Sequence, residues 1–306
     1  MYESLKVSCA SFHIYIFAFD ELCFQILNDL HPDSATIIPL EKFENKQLLD
    51  VKKERTRAEY CWTCTSSTIE YVLANFNVPA CTYIDADLYF YRSPEILINE
   101  LNQEKTVLIT EHRYSLLSKL YEEKRAGRFC VQFVTFINEP ESRLILKHWI
   151  SQCIEWCYAR YEDGKFGDQK YLDEWPVKYN NVKISEHPGA GIAPWNIIQY
   201  HIFRRSDSLM GIELKTGKEF DIVFFHFHFV RFMDNGIVDL GWNRIPGDIQ
   251  DYLYIPYINK IKETEHNLES KFNGYKARFY ATQPSGFKNY IKFVLKKISG
   301  FNIIKT

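Results

Sequence analysis

No stretch of the chain stays apolar for the roughly 18–20 residues that a helix needs to cross a bilayer. A helical membrane span is therefore not expected. Charge of one sign is not in excess either: the formal net charge is −2. No global field favours nucleic acid, and none is expected as a partner. Internal repeats and low-complexity linkers are absent. A Gly-rich phosphate loop near the N-terminus is also absent, which argues against a sugar nucleotidyltransferase. Cysteine is present eight times, at 9, 23, 61, 64, 81, 130, 153 and 157. Neither Cys61-x-x-Cys64 nor Cys153-x3-Cys157 has a second pair at zinc-finger spacing, so a structural zinc is disfavoured. Met1 opens the polar MYESLKVS rather than a secretory leader, and the cysteines fall in apolar periodic segments. Reduced, mostly buried thiols and a cytoplasmic setting are the expectation.

What is present is a 306-residue chain with 46% hydrophobic and 25% charged residues, enough for a full-sized core. Aromatic residues reach 16%. Strand-like and helix-like segments alternate. HIYIFAFD (13–20) reads as a strand, ELCFQILNDL (21–30) as a helix and ATIIPL (35–40) as a strand. LLDVKKERTRAEYC and SSTIEYVLANF (66–76) read as two helices, and ACTYIDADLYFY as a strand leaving into a loop. SPEILINEL (93–101) has a helix-start signature, TVLITEH and CVQFVTFI (130–137) are strands, and 142–161 is a long helix. EFDIVFFHFHFVRF (219–232) reads as one long strand, and the tail from about 251 as helical and basic. The fold class this predicts is α/β, a mostly parallel sheet with helices on both faces. The one boundary suggested by composition lies near 250, giving a domain of 1–250 and a C-terminal extension of 251–306.

Asp85 and Asp87 sit one residue apart where an apolar run ends, in YIDADLYFY (83–91). At the end of a strand in an open α/β sheet, side chains face the crevice where such sheets bind ligands. Two carboxylates aimed at one point repel unless a proton or a cation lies between them. A divalent cation would satisfy both and leave positions open for phosphate oxygens. FFHFHF (224–229) places His226 and His228 on one face of an extended run, and neutral imidazole suits Mn2+-like ions. Capping aspartates and hydrogen-bonded core histidines are the alternative readings.

Taken in order, these stretches resemble GT-A glycosyltransferases, in particular bacterial family-8-like enzymes of lipopolysaccharide and capsule synthesis. YIDADLYFY (83–91) and GDQKYLDEWP within 154–176 carry the resemblance most specifically. RAEYCWTCT (57–65), ITEHRY (109–114), GRFCVQFVTF (127–136), GAGIAPWN (189–196) and FFHFHFVRF (224–232) support it. The resemblance implies a GT-A fold, a nucleotide-diphospho-sugar donor, a glycan or lipid-linked acceptor, and Mn2+ or Mg2+ held by Asp85, Asp87 and His226, with His228 as the alternative ligand. It leans towards retention of anomeric configuration. It implies that Asp168 and Gln169 lie beside the reacting sugar. Asp168 has a second reading as the cap of the helix that starts at Gln169. Arg57, Gln132, Trp195 and Asn196 are the remaining donor-side candidates. Glu111, His112 and Arg113 follow a strand and would reach the same crevice. MYESLKV resembles the helix after the first GT-A strand, so that strand is expected to be missing from the N-terminus.

From Lys260 onward ten Lys/Arg face three glutamates. IKFVLKKISGF (291–301) mixes apolar residues with lysines in the manner of a segment lying on an anionic membrane. A solvated helix packed on the domain is the other reading of that stretch. The competing function is a carbohydrate-binding protein that keeps the fold without donor turnover.

Overall fold

The computed structural model describes residues 1–206, 208–233, 236–272, 275, 280, 281 and 287–305. The fold is mixed α/β with several small sheets. Contacts divide the chain into two compact units: residues 1–192 with 220–225, and residues 193–219 with 226–306.

In the first unit the central sheet runs in the order Ala80–Ile84, Phe129–Ile137, Val107–Glu111, Val182–Ile184. Phe129–Ile137 is antiparallel to both its neighbours, and only Val182–Ile184 runs parallel to Val107–Glu111. The mostly parallel sheet expected from the alternating pattern is therefore not what forms here. The helix Leu116–Ala126 joins Val107–Glu111 to an adjacent antiparallel strand, so the chain turns back instead of crossing over. A separate parallel pair, Ile14–Ala18 with Ala35–Pro39, brackets the helix Glu21–Leu30, which Asp20 caps through its side chain.

Alternation along Val107-Leu108-Ile109 shows why the central sheet is covered on both sides. Val107 and Ile109 join a core with Ile69, Phe136, Trp149 and Trp175. Leu108 joins another with Leu5, Leu88, Phe90, Phe133 and Phe224. The helix Arg57–Asn75 supplies Ile69 and Leu73 to the first of these cores. The break between the two expected helices falls at 53–56 rather than at 62–65: Lys46–Lys52 is a separate helix, and Arg57–Asn75 runs on unbroken. Thr63 and Thr68 return their hydroxyls to the carbonyls of Glu59 and Thr65, so these side chains are satisfied within the helix. A Thr56–Glu59 capping box starts it.

The long strand read over 219–232 breaks into Glu219–Asp221, Phe224–His226 and Arg231–Met233, and Phe229 takes a positive φ of 67°. Phe224–His226 pairs with Leu88–Phe90, the strand that follows the DxD turn.

The second unit contains the hairpin Tyr200–Arg205 with Ser208–Glu213 and a four-stranded sheet that includes Arg231–Met233, Ile237–Asp239 and Ile303–Lys305. The C-terminal helix Phe287–Ser299 places Phe293 in a small core with Met233 and Ile237. Lys296 is buried in the same unit, where its ammonium donates to the Asp239 carboxylate and the Gly241 carbonyl. Removing one partner of such a pair strands the other charge. Lys296→Met is expected to destabilise this unit by about 3–5 kcal/mol. Lys296→Met combined with Asp239→Leu is expected to recover most of the loss. Thermal unfolding of the two variants against the wild type checks both statements.

Candidate metal centre

The turn Asp85-Ala86-Asp87 separates Ala80–Ile84 from Leu88–Phe90 and is closed by the Leu88 N–H donating to the Asp85 carbonyl at 3.3 Å. Leu88 and Phe90 are buried in the core, which fixes Asp87 at the start of the second strand. His226 ends the strand paired with Leu88–Phe90, and His228 follows two residues later. One ligand atom from each of Asp87, His226 and His228 lies within 4.8 Å of the others. Among the described residues this is the one group of three or more His, Cys, Asp or Glu side chains with such spacing. His226 is buried, Asp87 half-buried and His228 exposed. The set has a buried anchor and an open side. Trp195 stands edge-on to both imidazoles, with ring centroids 5.3 Å from His226 and 5.6 Å from His228. One carboxylate and two imidazoles form a donor set that holds divalent transition ions well, and suits Mn2+ better than the oxygen-seeking Mg2+.

Asp85 is not one of that group. Its Oδ1 accepts the Tyr83 hydroxyl at 2.9 Å, and its N–H donates to the Gln132 carbonyl at 3.1 Å. Burial, then the Asp85 and Asp168 carboxylates, push the Tyr83 phenol well above its ordinary value, although the residue as a whole is only half-buried. Tyr83 therefore stays a hydrogen-bond donor at any working pH.

Asp168 is buried. Burial first and the Asp85 carboxylate second push its acid up to about 7, against the Thr65 hydroxyl and nearby backbone N–H groups, which pull it down. Although those N–H groups act on the carboxylate, it makes no capping hydrogen bond to the helix Gln169–Glu174. The capping reading of Asp168 thus lacks its bond. The residue is held from behind, since Trp149 donates its indole N–H to the Asp168 carbonyl at 2.9 Å. Gly167 precedes it at φ 51°, and a Cβ there would meet the Trp62 ring at 3.4 Å. Glycine at 167 removes the backbone penalty of that left-handed turn. Gln169 donates its side-chain amide to the Ala126 carbonyl at 2.7 Å, which ties it to the end of the helix Leu116–Ala126.

The other candidates take varied positions. Gln132 is fully buried, and its Nε2 lies 2.6 Å from where a Cβ on Gly191 would be, so Gly191 leaves the room the amide occupies. Arg57 sits on the surface and pairs with Asp20 at 3.0 Å. Asn196 is buried and its Oδ1 accepts the Ala193 N–H at 2.9 Å, closing the turn that presents Trp195. Glu111 accepts from Arg128 at 2.6 Å, and His112 is buried and stacks on Tyr114 at 4.6 Å. Arg113 donates from its guanidinium to the carbonyls of Ser185, His187, Pro188 and Ala190, so it clamps the 185–190 loop. Sequence reasoning passed over Thr65 and Tyr83. Tyr83 was within reach, being two residues before Asp85 and so on the same strand face. Thr65 was not, because its helix had been read as broken there. The eight cysteines are all free thiols.

Comparison with known proteins gives two bacterial relatives. The chain is 28% identical over 277 residues to the uncharacterized protein YfnD of Bacillus subtilis, covering 89% of this chain and 86% of that one. It is 28% identical over 288 residues to the uncharacterized protein YfnF of the same organism, covering 91% and 92% respectively. No protein-family model matches the chain. No helix among the described residues is long and apolar enough to cross a membrane.

Proposed function

We propose that the chain is a metal-dependent glycosyltransferase that moves a sugar from a nucleotide-diphospho-sugar to a glycan or lipid-linked acceptor. One observation carries the reading. Asp87 of the DxD turn and two histidines far along the chain bring their ligand atoms within 4.8 Å of one another. The resemblance to GT-A enzymes named Asp85, Asp87 and His226, with His228 as the alternative. This reading takes both histidines together with Asp87 as the ligand set, while Asp85 accepts the Tyr83 hydroxyl.

In this reading Asp87, His226 and His228 would hold Mn2+, and the bound ion would supply charge neutralisation to the diphosphate leaving group. Trp195, edge-on to both imidazoles, fixes their orientation. Asp85, held by Tyr83, adds negative field near the site and keeps Asp168 hard to ionise. Asp168 accepts sugar hydroxyls and, once ionised, stabilises positive charge on the anomeric carbon. Gln169 is fixed by Ala126 and lines the same end of the helix. The resemblance implies cell-surface polysaccharide synthesis on the cytoplasmic side, and both relatives are bacterial.

The test is donor hydrolysis across UDP-, GDP- and TDP-sugars, with Mn2+ and with EDTA. Release of one nucleotide that needs Mn2+ supports a transferase and names the donor class. Silence across the panel, with Mn2+ still bound, moves the reading to a carbohydrate-binding protein that keeps the metal site without turnover.

A further inference from the structure

Among the described side chains of the helix Phe287–Ser299, one set turns into its unit and another faces out. Phe293 and Lys296 point inward, the first into the core with Met233 and Ile237, the second onto Asp239. Ile291, Leu295 and Ile298 lie at i, i+4 and i+7, one stripe of the helix. All three are exposed, Leu295 at 60% and Ile298 at 78%. The buried ion pair fixes the rotation of the helix, so this apolar stripe is held outward. The stripe does not end with the helix. Phe301 donates its backbone N–H to the Lys296 carbonyl, and its exposed ring stacks near Trp242 at 6.4 Å between centroids. Trp242 is itself 57% exposed, and the Lys296 ammonium lies 4.8 Å from its ring.

Charge decides what could cover such a face. From residue 270 to the end there is no Asp or Glu, against eight Lys/Arg. Lys292, beside Ile291 on the helix, is exposed, and so is Arg244, two residues after Trp242. An apolar stripe rimmed by cations and capped by a Trp–Phe pair matches a bilayer surface, where aliphatic side chains enter the acyl boundary, indole sits at headgroup depth and lysines meet anionic lipid. The helix has 13 residues, too few to span.

We propose that this face, built from Trp242, Ile291, Leu295, Ile298 and Phe301, docks on an anionic lipid surface with the helix lying in the plane of the headgroups. The inference rests on the patch alone and is independent of the transferase reading.

The test is co-sedimentation of the full chain with vesicles of phosphatidylcholine alone and of phosphatidylcholine mixed with phosphatidylglycerol. Binding to the anionic vesicles is expected, about tenfold or more above the neutral ones, and weakening as salt is raised. The double variant Leu295→Glu/Ile298→Glu is expected to lose about tenfold or more of that binding. Its thermal unfolding should match the wild type, because both positions are exposed. A second variant, Lys292→Glu, is expected to weaken anionic binding and leave unfolding unchanged. Equal binding to both vesicle types, or full binding by the double variant, overturns the proposal. So does self-association of the wild type that the double variant abolishes without any vesicle binding, which would make a second copy of the chain the occupant.

Discussion

Asp87→Ala is expected to weaken Mn2+ binding by more than about 100-fold, since even outer-shell partners of a metal site cost 10–100-fold when removed. Three protein donors converge in this centre, and two of them, Asp87 and the buried His226, are held by paired strands. His226→Ala removes the buried donor and is expected to match Asp87→Ala. His228 is exposed and lies beyond the strand, so His228→Ala is expected to cost less than either. Asp85→Asn is expected to leave Mn2+ affinity within a few-fold of wild type, because Asp85 is engaged by the Tyr83 hydroxyl. Titration calorimetry with Mn2+ on the four variants reads this order directly. If Asp85→Asn abolished binding while His228→Ala did nothing, the ligand set would be the Asp85, Asp87 and His226 of the sequence reading. A chelator-sensitive donor hydrolysis should fall in the same order as the affinities.

Local signals were legible in the sequence where the determinant was local. Asp20 followed by an amphipathic run gave the helix Glu21–Leu30, and alternating apolar residues gave Ala35–Pro39. The candidate centre was partly legible for the same reason: a carboxylate pair at the end of a strand and imidazoles in a late apolar run are local patterns. Partner choice was not. Whether Phe129–Ile137 runs with or against Val107–Glu111 depends on which end of the sheet the intervening helix occupies, and no residue within either strand records it. That Asp87 comes within reach of both histidines depends on how the surrounding strands pair, which no residue of YIDAD records. The sequence reading ends one helix at Cys61 and starts another at Ser66, yet Thr63 and Thr68 bond back to carbonyls within a single helix there. Arg113 looked like a ligand-facing cation after a strand, yet it serves four carbonyls of a loop more than 70 residues away.

Asp168→Asn is expected to stabilise the fold above pH 7 while removing donor turnover. The Asp168 acid is pushed up to about 7, chiefly by burial. An unfolded aspartate ionises near 3.9. Between those two values the folded chain binds more protons than the unfolded one, so stability falls as pH rises through that window. Above pH 7 the folded state carries a buried carboxylate at a cost on the order of 4 kcal/mol relative to acid conditions. Asparagine keeps the shape and avoids that cost. The melting temperature of Asp168→Asn, measured in EDTA, should exceed wild type by several degrees at pH 8. The gap should shrink as pH is lowered towards 5, where the wild-type acid is protonated in the fold. A residue that served only to hold its turn would show the opposite, a loss of stability at every pH. The same substitution leaves no carboxylate to ionise beside the sugar, so turnover should fall although the protein melts later. That pairing of gained stability with lost activity is what a strained functional group produces. A melting temperature at pH 8 equal to or below wild type would mean that Thr65 and the backbone N–H groups, not burial, govern this carboxylate.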